Sequence, residues 1–298
     1  MEARNRSLTN LLFVLPALAL LAIFIVYPTL RTIVNSFTTG RGLQERFVGL
    51  QNYITLLTAD PLFLNLSFPP SGAVINNVLW VFLYTGLCIA LGMLIAVLAD
   101  RVRYESPVKS IIFLPMAISA TAVGVIWLLV YSPDPTIGLV NGALRLFGTG
   151  PIAFLGRPDT VNFAIIIAAV WAGAGFAMVI FSAAIKGIPT EIMEAARVDG
   201  ANERQIFRSI TLPMISLPVS VVAVTLVISV IKVFDIIYVM TSGGPGGASR
   251  VIAYTFFRET FESSKPGYGS AVAVLMLLLI IPIMAFNIRR FRTDAVVR

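Results

Sequence analysis

Residues 186–213 read KGIPTEIMEAARVDGANERQIFRSITLP. Thr190, following Pro189, can cap a short helix that begins at Glu191, and Gly200 is placed to end it. Asn202 with Gln205 three residues later has the form of a capping box for a second short helix. Pro213 then separates that helix from the apolar run beyond. The stretch therefore specifies two short helices joined at Asp199-Gly200. Ile192, Ala195 and Ala196 give one side small or apolar contact, while Glu194, Arg197, Asp199, Glu203 and Arg208 give charge. An ordinary solvated loop has this polarity too. Small alanines beside an acidic residue, which can accept an arginine, also suit a docking knob for a soluble protein.

On both sides of this loop the chain turns apolar. Of its 298 residues 57% are hydrophobic and 12% charged, against about 25% charge in soluble domains. A membrane span needs about 20 mostly apolar residues, because its backbone must pair internally across roughly 30 Å of hydrocarbon. Six runs qualify, at approximately 11–36, 74–99, 108–131, 161–186, 214–240 and 269–289. The expected fold is all-α, a polytopic bundle of six spans with the short loop helices at one face. The first run exceeds the apolar region of a secretory signal and lacks a clean cleavage site after it, so it reads as a retained helix. Pro16 and Pro28 should kink it or loosen its ends.

Orientation follows from the basic residues. With the N-terminus inside, the inner segments hold thirteen, from Arg4 and Arg6 to Arg298, and the outer ones eight. Both termini are therefore expected in the cytoplasm. Turn residues fall outside: Pro69-Pro70, Ser132-Pro133-Asp134-Pro135 and Gly243-Gly244-Pro245-Gly246-Gly247. The organisation reads as an N-terminal cytoplasmic segment, first span and outer loop over 1–73, a core over 74–290 and a cytoplasmic tail over 291–298. The net charge of +7 forms no patch or stripe, which argues against nucleic acid. One cysteine, Cys88, and no histidine leave no disulfide, no metal cluster and no catalytic constellation.

Glu194-Ala195-Ala196, three residues, Gly200, nine residues, then Ile210-Thr211-Leu212-Pro213 resembles the EAA motif of binding-protein-dependent ABC permeases at every fixed position. In that family the loop forms coupling helices that enter a cleft on an ATPase subunit. The resemblance implies that Glu194 meets the ATPase and Gly200 permits the bend. Asp199, Ala201, Phe207, Ile210, Leu212 and Pro213 share the docking segment with Ala195 and Ala196. Other stretches resemble the sugar-permease, MalF/UgpA-like branch. They include Val48-Gly49-Leu50-Gln51-Asn52-Tyr53, Phe113-Leu114-Pro115 with Trp127, Gly138-Leu139-Val140-Asn141, Phe154-Leu155-Gly156, and Phe234-Asp235-Ile236-Ile237-Tyr238 leading to Gly243-Gly244-Pro245-Gly246. Leu98–Glu105 is similar to alpha-glucoside permeases. The maltose-type permease differs, carrying extra N-terminal helices and a large outer domain for which this chain is too short. The resemblance implies a sugar translocated by alternating access. It also implies a second homologous permease subunit, two ATPase subunits and an extracytoplasmic sugar-binding protein in an inner membrane.

No lysine follows a glycine, so the Gly-Lys-Ser/Thr of a phosphate-cradling loop is missing. ATP and Mg are thus expected on the ATPase partner, with no cofactor on this chain. Lys232 and Asp235 are an ionisable pair within the fifth run. An intramembrane charge costs about 2.5–3.5 kcal/mol on insertion scales and so faces protein or water. Three apart on a helix they can pair, or they can line the sugar path. Phe234, Tyr238 and Trp171 offer flat faces to sugar rings, though aromatics also serve as packing and interface anchors. Gly173 and Gly175 suit close helix packing. An ion-gradient-driven secondary transporter is the competing reading, with Asp235 as its thin support.

Overall fold

A computed structural model describes residues 13–40, 42–65, 69, 71–100 and 102–296. Arg4, Arg6, Arg41, Pro70, Arg101 and Arg298, used above for orientation and turns, lie outside the described residues. The chain forms two compact units. Almost everything in both is helix.

The first unit comprises the described residues up to Asp60 together with Thr255–Leu277. It opens on α1, Phe13–Asn35. The hydrogen-bond ladder of α1 widens to π spacing over Ala22–Val26, just ahead of Pro28. A proline donates no backbone bond, and the wider turn lets the helix pass it without ending. Beyond α1 comes a two-stranded hairpin, Thr38–Thr39 against Arg46–Phe47. Asn52 donates to the carbonyls of Ser36 and Thr38 at 2.9 and 2.8 Å, and the Tyr53 hydroxyl donates to Ser36 Oγ at 2.6 Å. Asn52 thus satisfies two backbone acceptors where α1 ends, which hydrocarbon or a dry interior would otherwise leave orphaned, and Tyr53 ties the Ser36 side chain to the same stretch.

The second unit is Pro61–Tyr254 with the chain from Leu278 onward. Its long helices are α2, Ala73–Ala99, and α6, Val161–Lys186. Between them run α3, Glu105–Phe113, prolonged by a tight turn over Leu114–Ala117, then α4, Ala120–Val130, and α5, Leu139–Leu146. After α6 come α7, Thr190–Val198, and α8, Glu203–Met214. The unit continues through α9, Ser216–Ile231, and α10, Asp235–Thr241. The final helix, α11, is Pro266–Val296 and is shared between the units.

Among the described residues four helices are long and apolar enough to cross a membrane, and up to six spans result when two bent pairs each count as one. The third run, expected continuous over 108–131, bends by 101° between α3 and α4. Pro115 sits in the turn before the bend, and Ser119 restarts the helix by accepting from the Ala122 N–H at 3.2 Å. The fifth run, expected over 214–240, also departs from one rod. It bends by 68° between α8 and α9, and it breaks again at Lys232–Phe234 before α10. Pro213 and Pro218 bracket the first of these breaks. In the connection after α4, Asp134 accepts from the N–H and hydroxyl of Thr136 at 2.8 and 2.7 Å, closing the expected turn and holding its carboxyl below the usual carboxylate range.

The core of this unit is the α2–α6 crossing, lined by Trp80, Ile165, Met178 and Phe181. Lipid tails are as apolar as leucine, so helices associate there through close packing. A Cβ on Gly92 would stand 2.6 Å from Ala177 Cβ, and one on Gly175 would stand 2.8 Å from the Ile112 carbonyl. Gly173 likewise abuts the Tyr84 hydroxyl. The two glycines near Trp171 therefore do serve close packing, as their residue type suggested.

Candidate coupling loop and translocation cavity

Helix α7 begins with Pro189 in the cap position in an extended conformation, and Thr190 is its first helical residue, without a side-chain cap. The expected cap is thus one residue late, because proline already holds the φ required there. Glu191 in the first turn and Arg197 in the last complement the helix dipole. At the far end Gly200 takes φ +82°, the Ala201 N–H bonds the Ala196 carbonyl at 3.0 Å, and the Gly200 N–H bonds Arg197 at 3.1 Å. That is a Schellman ending, and it needs a left-handed residue at the glycine. Asn202 and Gln205 form the full reciprocal capping box that opens α8. Arg197 reaches across the turn to Glu203 at 3.1 Å, tying the two short helices together.

The loop has a seated side and a free side. Ile206 is buried, and Met193 and Phe207 are half-buried. They line a cavity of about 160 Å³ with Val97 and Asp100 at the end of α2 and Ile185 near the end of α6. Ala196, Ala201, Phe207 and Ile210 are partly covered, whereas Glu194, Ala195, Asp199, Gly200, Leu212 and Pro213 are exposed. The motif therefore divides into residues that seat the loop and residues that it presents. Sequence reasoning missed Val198, which is 86% exposed beside Ala195. Its signal was the Ile192-Ala195-Val198 spacing on one helical face.

Of the residues proposed for the translocation path, Phe234 and Tyr238 meet, while Trp171 lies in a separate aromatic cluster and Lys232 and Asp235 do not pair. Lys232 ends α9 and Asp235 starts α10, so no single helix carries both, and they form no ion pair among those found in the described residues. Both are exposed. The expected i,i+3 pairing fails because the helix breaks between them. Phe234 and Tyr238 stack at 5.3 Å, and each lies within 6.5 Å of Tyr254. Trp171 meets Trp127 edge-on at 5.9 Å, in a chain that continues to Tyr131 and Phe154.

A cavity of about 370 Å³ opens instead among α2, α3, α4, α6, α9 and α10, lined by Trp80, Tyr84, Phe176, Thr225, Ser229 and Val233 among others. None of the five proposed residues lines it. Its polar groups are neutral, and the Trp80 indole N–H is buried without a partner. Two i,i+4 pairs, Trp80 with Tyr84 and Thr225 with Ser229, mark it in the sequence, but such pairs are indistinguishable there from packing residues.

At the opposite ends of α2 and α6 lies a buried amide cluster. Asn76 donates to the carbonyls of Ala248 and Arg250 at 2.8 and 2.7 Å. Asn162 donates to Ala248 at 2.6 Å and to Asn76 Oδ1 at 3.0 Å. Asn77 donates to the Val230 carbonyl at 3.0 Å and accepts from the Ile252 N–H at 2.8 Å. The glycine-rich segment after α10 is pinned by these side chains.

The broken apolar helices, the internal cavity and the protruding helical pair define a membrane-embedded component of a transport system. Residues 88–289 match the family described as binding-protein-dependent transport system inner membrane component, and the chain belongs to that family. It is 46% identical over 96% of its length to the whole of an osmoprotective compounds uptake permease, GgtC, of Synechocystis. It is 39% identical to the alpha-glucoside transport permease AglF of Rhizobium meliloti, with 96% of this chain and 84% of the relative covered. It is 34% identical to the trehalose/maltose permease MalF of Thermococcus litoralis, covering 95% and 94%. Among solved structures, a chain of a bacterial ABC transporter that imports the acidic polysaccharide alginate superposes with a TM-score of 0.82, at 23% identity over 98% of both chains. The family's components are transport subunits, and this chain is one of them.

Proposed function

We propose that the chain is one of two homologous permease subunits of an ATP-driven sugar importer in the cytoplasmic membrane, with both termini and the 187–213 loop inside. ATP and Mg bind two partner ATPase subunits, whose closure moves the loop and turns the spans from inward- to outward-facing. An extracytoplasmic binding protein delivers the sugar. The observation that carries this is the split loop: one side is seated on α2 and α6, and the other presents Glu194, Ala195, Val198 and Asp199 to solvent.

The cargo we favour is a neutral glycoside of one or two rings, alpha-glucosides included. The cavity supports it through aromatic faces, hydroxyls and an unpaired indole N–H, without a carboxylate or a basic group on its wall. Relatives that carry alpha-glucosides and trehalose or maltose agree. The test is reconstitution of the permease pair with its ATPase and binding protein in proteoliposomes. Uptake of radiolabelled glucoside that requires ATP and the ATPase is expected. Equal uptake without the ATPase would sink the reading.

A further inference from the structure

Below the loop seat, at the same ends of α2 and α6, sit four charges: Lys109 and Lys186, which the sequence reading counted only as orientation signals, and Asp100 and Glu105 of the Leu98–Glu105 stretch. Lys109 on α3 places its ammonium 3.1 Å from Asp100, which caps the end of α2. The same ammonium donates to Glu105, one turn earlier on α3, and to the Ser182 hydroxyl on α6. Lys186, the last residue of α6, reaches Glu105 at 2.5 Å and Asp100 at 4.0 Å. The Lys109 side chain is the sheltered cation, 16% exposed against 54% for Lys186. Asp100 also lines the seat occupied by Arg197, Glu203 and Ile206 of the loop.

We propose that Lys109 is a positioning residue for energy coupling, binding α2, α3 and α6 into one body directly beneath the docking loop; this rests on the coupling reading above. An ammonium has three donors, and here they meet three acceptors on three separate elements. The two acids neutralise the two lysines, so the cluster is complete in itself. Exposed ion pairs add little to stability because water screens them. What this network sets is geometry: α3 follows the ends of α2 and α6 when the loop is displaced. Without the Lys109 charge, Asp100 keeps only the distant Lys186, α3 loses its charged tie to α2, and its charged tie to α6 is reduced to the more exposed Glu105–Lys186 pair.

The test is solute moved per ATP hydrolysed in proteoliposomes holding the complete transporter. Lys109→Met is expected to lower that ratio at least about fivefold, the lower end of a coupling energy, while the complex still co-purifies with its ATPase. Lys109→Arg, which keeps the charge, is expected to restore it. If Lys109→Met fails to assemble, Lys109→Gln reads the same ratio, since its amide keeps donors without charge. A parental ratio in the neutral variants overturns the proposal, as does an equal loss in Lys109→Arg. Those results leave coupled transport by the parent intact, whereas a parent without ATP-driven uptake overturns the coupling reading first and this one with it.

Discussion

Single residues differ in what their neighbours demand of them, and Gly200 is the sharpest case. A Cβ there would meet nothing within 4 Å, yet the residue holds φ +82°. The constraint is therefore in the backbone, where a left-handed L-residue costs roughly 1–2 kcal/mol. Gly200→Val is expected to lower transport per ATP strongly with membrane insertion intact. Gly200→Asn should do much less harm, because asparagine tolerates this conformation. Equal activity of all three proteins, measured as ATP-driven uptake, would remove the turn from the coupling path. The buried amides demand partners instead. Asn76→Leu removes the side-chain donor to the Arg250 carbonyl and leaves Ala248 only the bond from Asn162, at about 1–3 kcal/mol for a buried group that loses its partner. A melting temperature lowered by several degrees in detergent, with faster proteolysis between residues 243 and 251, is the expected outcome. Both kinds of residue were legible to different degrees. Gly200 and the Asn202–Gln205 box could be read directly, because caps and left-handed turns are local. Asn76 and Asn162 could not, since their partners lie 172 and 86 residues away.

At the scale of elements, the apolar runs marked α1, α2, α6 and α11 well, because length and composition alone specify a span. The third and fifth runs concealed breaks. A proline tells that a helix can bend, but the angle depends on what packs against it. The break at Lys232–Phe234 has no proline and was read as continuous helix, which is why a pair was expected between Lys232 and Asp235. Asp235 instead stands in the first turn of α10, where its charge complements the helix dipole. Asp235→Lys should unravel this short helix and reduce uptake, and Asp235→Glu should preserve both; parental uptake by the lysine variant would release Asp235 from any role in transport. The glycine contacts belong here as well. Gly92→Val drives a branched side chain into Ala177 and the Met178 backbone, which costs typically about 1–3 kcal/mol or more. Loss of monodisperse protein on size-exclusion chromatography is expected, with a parental profile counting against close packing as the basis of the α2–α6 pair.

For the whole molecule, the proposed orientation makes a prediction of its own. The sole cysteine, Cys88, is buried, so a Cys88→Ala background is a clean host for new thiols. Asp199→Cys should react with a membrane-impermeant maleimide only after the cytoplasmic side is opened, and Thr149→Cys from the outside of intact cells. The reverse pattern would invert the molecule and leave the loop no ATPase to meet.

The same two helices that carry the loop seat also carry the amide clamp at their other ends, and both run in the same direction. At 1.5 Å per residue, 26 or 27 residues make rods of about 40 Å. They touch closely where Gly92 meets Ala177, nearer the end that holds the seat. Parallel and joined at both ends, the two rods put the seat of Met193 and Ile206 and the segment held by Asn76 and Asn162 at the two ends of one body.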